Sequence, residues 1–324
     1  MDTLRQFQID AFAQIAHFGN PAAVVPLEEW LTEKQMQGIA MENNLAETAF
    51  FVPAPKDDEA DFHLRWFTPM AEVGLCGHAT LASAHALFAE LGFDKPEIVF
   101  RTLSGLLKVK RLPHAERDMY CEHKLQLDFP ETPMRRDEDP ELLLRVTEAL
   151  GAQPREVYQS MDLVCVFDRF EQIEGLTPSM EKLAAFTDVR AVAVTALADG
   201  GGVPGRAMIG SPEFDFVARM FAPRLGVSED PVTGSLYTML APYWGEKLGK
   251  LEMTAYQLST RGGEVYLTLD PANHPGRVFI AGHAITTIRS EMPVPYNPID
   301  KFCPDWEEEK KFMVFTKRAD DTGA

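Results

Sequence analysis

The chain has 324 residues, 45% hydrophobic and 25% charged, with a formal net charge of -18 from 31 basic and 49 acidic side chains. That length exceeds one ordinary core, so two domains are expected; the acidic surface repels phosphate backbones and argues against nucleic acid; and no run of about 20 apolar residues is present to span a bilayer. The four cysteines (Cys76, Cys121, Cys165, Cys303) form no CxxC pair, so neither a zinc site nor a disulfide framework is indicated, and "MDTLRQFQIDAF" lacks the features of a signal peptide, so a cytoplasmic location is expected.

In chain order, "FQIDAF" and "AAVVPL" read as strands, aromatic or β-branched and punctuated by Gly, Pro or Asp. From Leu27, "LEEWLTEKQMQGIAMENN" has helical spacing, with Trp30, Met36 and Ile39 on one face. Strands "TAFFVP" and "FHLRWFTP" precede "GHATLASAHALFAEL", a helix apolar nearly all round and therefore buried on all sides. Its small residues Ala79, Ala82, Ser83, Ala84 and Ala86 let strands wrap it closely. After "EIVFRTL" and "LLKVKRL", strands resume in "KLQLDFP", "LVCVF", "AVAVTAL", "FVARMFAP", "EVYLTL" and "RVFIAG", with amphipathic helices at "DPELLLRVTEALG" and "SMEKLAAF". A second apolar helix, "GSLYTMLAPYWGEKL", carries Pro242, which is expected to kink it.

The chain repeats itself. "DFHLRWFTP" from Asp61 aligns with "DFVARMFAP" from Asp215, a shift of 154; Gly77 aligns with Gly234, a shift of 157; "TLSGLLKV" from Thr102 aligns with "TRGGEVYL" from Thr260, a shift of 158. Ordered matches at a nearly constant offset indicate duplication. The expected fold class is α+β, with two pseudo-symmetric lobes, each a barrel-like, mostly antiparallel sheet wrapped around a central helix. The lobe boundary is placed near residues 118 to 128: an N-terminal lobe over 1–122, completed by a C-terminal strand from about 287–324, and a C-terminal lobe over 123–286. No GxGxxG follows a strand and no P-loop motif occurs, which argues against a Rossmann fold.

Both apolar helices open on a glycine next to a polar residue, Gly77-His78 and Gly234-Ser235. A helix start offers free N–H groups and the positive end of the dipole, and glycine lets a ligand approach the backbone. Two such starts on one cleft suit a substrate carboxylate and an enolate-like charge. From the residues alone, Glu47 reads either as a solvated turn acid or as a poorly hydrated proton shuttle. His78 reads as a capping or core histidine or as a relay, expected to stay neutral beside the helix dipole. Asp230 reads as a turn residue or a substrate acceptor, and Ser235 as a helix cap or a substrate contact. His78 and His85 lack metal-ligand spacing, so no metal is expected. Arg65 and Arg219 recur at equivalent places and are expected to form matching structural salt bridges. "ADGGGVPG" near Gly200 reads as a linker or a cover for the cleft, and "EEEKK" at Glu307 as a solvated face.

"GNPAAVV" (Gly19), "NLAETAFF" (Asn44), "FTPMAEVGLCGHATLASAHAL" and "EDPVTGSLY" (Glu229) together resemble the phenazine-biosynthesis PhzF-like family, which shares its fold with diaminopimelate epimerase. The motifs stand in family order over residues 5 to about 290. The resemblance implies an active cleft between two lobes, a homodimer, no cofactor, and proton transfer between carbons of a small anionic carboxylate. Carried over position by position, it implies Glu47, His78 and Asp230 as catalytic residues, and Gly77, Gly234, Ser235 and Asn20 as substrate-binding residues. The thiol pair of the epimerase relatives is not reproduced: Cys76 faces Thr233. A hydroxyl is too weak an acid to replace a thiol, so Cys76 is expected to be a small buried group. Phenazine-type isomerase is therefore the first expectation. A catalytically silent ligand-binding or interaction protein and an amino-acid epimerase are the alternatives.

Overall fold

The computed structural model describes residues 3–113, 124–198 and 213–294. The glycine-rich stretch at Gly200, Cys121, Cys303, the tail with Glu307, and part of the expected lobe boundary lie outside the described residues.

The first half contributes strands β1 (Thr3–Ala11), β2 (Asn20–Pro26), β3 (Glu47–Pro53), β4 (Phe62–Phe67), β5 (Glu72–Val73), β6 (Glu97–Thr102), β7 (Gly105–Arg111) and β8 (Leu125–Pro130), with helices α1 (Glu33–Asn43) and α2 (Gly77–His85). The second contributes β9 (Arg135–Asp137), β10 (Glu156–Gln159), β11 (Leu163–Val166), β12 (Val192–Leu197), β13 (Phe216–Phe221), β14 (Glu252–Gln257), β15 (Gly263–Leu269) and β16 (Arg277–Gly282), with α3 (Pro140–Leu150), α4 (Phe170–Glu174), α5 (Met180–Ala184) and α6 (Tyr237–Leu248). A last strand, β17 (Ala284–Pro293), returns antiparallel to β1. β8 pairs antiparallel with β16 and so joins the halves into one continuous sheet.

The halves share a connection pattern. Pairing is antiparallel except for β2–β3 and β4–β6 in the first half and β11–β12 and β13–β14 in the second. Each parallel pair needs a crossover, and the crossovers are helical. α1 links β2 to β3, and α4 and α5 link β11 to β12. The central helices α2 and α6 link β4 to β6 and β13 to β14. α2 packs against β1, β2, β3, β8 and β17, and α6 against β14, β15 and β16. Every residue of α2 from Gly77 to Ala84 is buried, as an all-apolar helix requires. Outer helices cover the other faces of the sheet: α1 sets Met36 and Ile39 on Phe50 and Val52, and α3, α4 and α5 set Val146, Ile173 and Leu183 near Cys165 and Val194. Strands buried on both faces explain the unbroken apolar runs "TAFFV" and "LVCVF".

The duplication extends to side chains. Asp61 accepts from Lys95 and from the Val99 N–H; Asp215 accepts from Lys250 and from the Thr254 N–H. Arg65 grips Glu72 with Nε and Nη2, both at 2.7 Å, and Arg219 grips Glu229 at 2.7 and 3.0 Å, the matching salt bridges expected of this pair.

Two helices differ from the sequence expectation. α1 begins at Glu33, because Thr32 caps it: the Thr32 side chain accepts from the Gln35 N–H, and the Gln35 side chain accepts from the Thr32 N–H. Trp30 therefore precedes the helix, although it packs on the same apolar cluster as Met36 and Ile39. At Gly234 the chain first makes a tight 3₁₀ turn, Gly234–Leu236, before α6. α6 runs through Pro242. Proline there removes the bond to the Thr238 carbonyl, and that oxygen instead accepts from the Thr132 N–H at 3.1 Å.

Candidate active site

Strand direction brings the first site residues together. β2 and β3 are parallel, with Ala22 opposite Glu47, so their starts lie at the same end of the sheet. Asn20 opens β2 and Glu47 opens β3. Gly19 makes the bend before Asn20 at φ +64°, where a Cβ would stand 2.1 Å from the Ala11 carbonyl oxygen, so only glycine fits.

The central helices meet at this end. A Cβ on Gly77 would lie 3.3 Å from the Gly234 Cα, and one on Gly234 would lie 3.3 Å from the Gly77 Cα. The two helix starts are thus in backbone contact. Their first amides, which have no acceptor within their own helices, and the positive ends of both dipoles converge on one place.

Around this contact stand the polar side chains. His78 Nε2 lies 3.0 Å from Glu47 Oε2, with side-chain exposures of only 6% and 18%. Despite that distance, neither atom makes an aligned hydrogen bond among the described residues. Asn20 is fully buried. Its Nδ2 donates to Asp230 Oδ1 at 2.7 Å and to the Val232 carbonyl at 2.9 Å, and stands 3.2 Å from His78 Nδ1. An amide nitrogen has two hydrogens, and the nearer oxygens take them. His78 Nδ1 is left facing Cys76 Sγ, 3.6 Å away. Asp230 also accepts from Thr233 Oγ1 at 2.5 Å. Glu47, His78, Asp230, Asn20, Gly77 and Gly234 therefore form one connected cluster. Ser235 lies beside it at the second helix start, partly exposed.

Charge state follows from these neighbours. Burial disfavours the His78 cation, but the Cys76 sulfur facing Nδ1 and the Glu47 carboxylate facing Nε2 favour it and hold the pKa above 6.5. This corrects the expectation of a neutral imidazole: the helix dipole was the only influence visible in the sequence, whereas the carboxylate arrives from another strand. Burial, with a smaller push from Glu47, raises the Cys76 thiol, so it stays protonated. Burial also raises Asp230, opposed by His78 and by the bonds from Thr233 and Asn20.

Glu47, Cys76 and His78 set a carboxylate oxygen, a thiol and a ring nitrogen within 4.8 Å of one another. This is a donor set suited to a soft cation, and sequence spacing hid it because Glu47 belongs to a different strand. With a proton on each ring nitrogen, His78 offers no lone pair to a metal there. His85 is elsewhere, with Nε2 3.1 Å from Thr286 Oγ1.

Three residues of the site's framework escaped the sequence reading. Gln257, fully buried, accepts from the Thr233 N–H at 2.9 Å and donates to the Asp230 carbonyl at 2.8 Å, holding the second helix start in place. Arg190 Nη2 donates to Ser235 Oγ at 2.9 Å and to Asp162 Oδ2 at 2.6 Å. A usable signal existed: Asp162 and Arg190 are charged residues placed directly before apolar strands, "DLVCVF" and "RAVAVTAL".

Two lobes built on central helices whose starts touch define the epimerase-like fold class. A probable proline racemase of Agrobacterium radiobacter, 13% identical, shares that fold alone, at TM-score 0.56 over 91% of this chain and 95% of that one. The family model for phenazine biosynthesis-like protein (PhzC-PhzF) matches residues 9–290, and the chain belongs to that family. It is 44% identical over 259 residues to an uncharacterized isomerase of Pseudomonas aeruginosa, covering 80% of this chain and 88% of the relative. A PhzF-family crystal structure from Enterococcus faecalis superposes at TM-score 0.77 with 37% identity, covering 90% of this chain and all of that one. Among the described residues no helix is long and apolar enough to cross a membrane.

Proposed function

We propose that this protein is an isomerase that moves a proton between carbons of a small carboxylate substrate by acid–base catalysis, using its own side chains without a cofactor. The observation that carries the reading is the Glu47–His78 pair. Two buried titratable groups stand 3.0 Å apart, each with an atom lacking an aligned partner among the described residues, beside two touching helix starts. Buried polar atoms are normally satisfied, so an unpaired one calls for a reason, and a ligand that completes the bonding is one such reason.

In this mechanism the Glu47 carboxylate, beside the His78 ring, removes a proton from a carbon next to an unsaturated or carbonyl system. The electrons delocalise onto substrate oxygen, where the amides of the Gly77 and Gly234 helix starts stabilise the charge. Glu47, now protonated, returns the proton to a different carbon, so atoms and charge balance with no external reagent. Asp230, partly open to the cleft, accepts from a substrate hydroxyl or amine. A two-base epimerase reading is disfavoured, because the Thr233 hydroxyl hydrogen is already given to Asp230.

The test is Glu47→Gln. With small unsaturated carboxylates in D₂O, mass spectrometry of recovered substrate is expected to show deuterium incorporation reduced by roughly 100-fold or more. Binding by calorimetry is expected to persist. Undiminished exchange in that variant rejects Glu47 as the base. Binding without exchange in the wild type selects the catalytically silent alternative.

A further inference from the structure

The second residues of the two helix starts are partnered differently. His78 stands beside an acid, Glu47, whereas Ser235 accepts a hydrogen bond from a cation, Arg190. Strand register makes these pairs near-counterparts. Phe67 and Phe221 correspond through the internal repeat, and they lie opposite Thr48 and Val192. Ala191 thus occupies the place of Glu47, and Arg190 immediately precedes it.

Arg190 is held from behind. Its Nε donates to Asp162 Oδ1 at 2.9 Å and its Nη2 to Asp162 Oδ2 at 2.6 Å, while the Asp162 side chain has no exposure. The remaining Nη2 hydrogen goes to Ser235. Nη1 has no partner among the described residues, and the Arg190 side chain is 32% exposed. A hydroxyl that accepts from arginine keeps its own hydrogen for another acceptor. Ser235 gives that hydrogen to no acceptor among the described residues.

We propose that Ser235 O–H and Arg190 Nη1 form the subsite for the substrate carboxylate, with Asp162 as the residue that positions Arg190. The duplicated halves then divide the work: the Glu47–His78 half handles the proton, and the Arg190–Ser235 half holds the anion. Orientation follows from hydrogen bonding: Arg190 Nη1 and the Ser235 hydroxyl offer donors to a carboxylate, whereas the Glu47 oxygens can only accept. The substrate class is a compact carboxylate whose acidic group points to Ser235 and whose reacting carbon lies over Glu47.

The orientation rests on the isomerase reading, but the test reads binding alone. Benzoate and cyclohex-1-ene-1-carboxylate, each with its uncharged primary amide, are titrated calorimetrically into the full-length protein. Wild type is expected to prefer each carboxylate over its amide by about tenfold or more. Arg190→Gln and Ser235→Ala are expected to lower carboxylate affinity by more than amide affinity and so erase that preference, and Arg190→Lys to restore part of it. Because Arg190→Gln strands a buried acid, the Asp162→Asn/Arg190→Gln double variant, folded by circular dichroism, must show the same loss. An intact carboxylate preference in the Gln variants, or no saturable carboxylate binding by wild type, overturns the proposal. The two readings fail separately: retained exchange in Glu47→Gln, with the Arg190 effect intact, removes the base but not the anion subsite.

Discussion

A raised histidine pKa has a thermodynamic consequence. Between pH 6.5 and the higher value held in the fold, folded His78 keeps a proton that the unfolded chain has lost. The stability it contributes is therefore complete below 6.5 and is lost as pH rises through the folded pKa. The unfolding midpoint of the wild type is expected to fall across that interval more steeply than that of His78→Asn; parallel curves would remove the imidazolium from this account. Gly77 gives a second test at this scale. Gly77→Ala places a methyl group 3.3 Å from the Gly234 Cα, backbone against backbone, so the helix starts must separate. A loss of about 1–3 kcal/mol in denaturant unfolding is expected, together with weaker carboxylate binding, whereas Ala at the open Gly92, where φ is +70° but nothing lies within 4 Å, leaves carboxylate binding alone. Gly77 and Gly234 drew notice because they open apolar helices, whereas the roles of Glu47, His78, Asp230 and Asn20 came from the family resemblance. Protonation was not legible, because it depends on distances between residues such as Glu47 and His78 that are far apart in sequence.

Elements show the same duplication with unequal energetics. Arg219 binds Glu229 and the carbonyls of Ile173 and Leu176, each at 3.0 Å, and is 12% exposed; Arg65 binds Glu72 and the outlying Glu33 and is 22% exposed. Removing Arg219 leaves an acid and two carbonyls without their donor, so Arg219→Ala is expected to cost about 3–5 kcal/mol. Arg65→Ala, closer to solvent, is expected to cost about 1 kcal/mol. Equal losses in denaturant titrations would contradict this ranking. Element type was readable from periodicity: the all-apolar stretch at Gly77 became a buried helix, and the apolar runs became strands. Boundaries were less so. The capping pair Thr32 and Gln35 overrode the apolar face that included Trp30, and the freed Thr238 carbonyl found the Thr132 N–H, a partner no local pattern reveals.

At the scale of the whole molecule, a cut at residue 122 divides one continuous sheet. β1 takes β17 as one neighbour, and β7 takes β8, which continues to β16. A fragment of residues 1–122 exposes both of those edges and is expected to aggregate or to unfold without a cooperative transition. Cooperative melting of the soluble fragment would make β17 and β8 dispensable. What the sequence by itself determined was the repeat, the two buried helices, the α+β class and the residue types gathered at the helix starts, because these follow from local composition and spacing. Only the tertiary structure decided that the two glycines touch, that an acid charges His78, and that Arg190 stands one residue before the place the other half gives to Glu47. The physical reason is that through-space electrostatics and close backbone contact depend on distances set by strands β3 and β12, and chain order carries no measure of those distances.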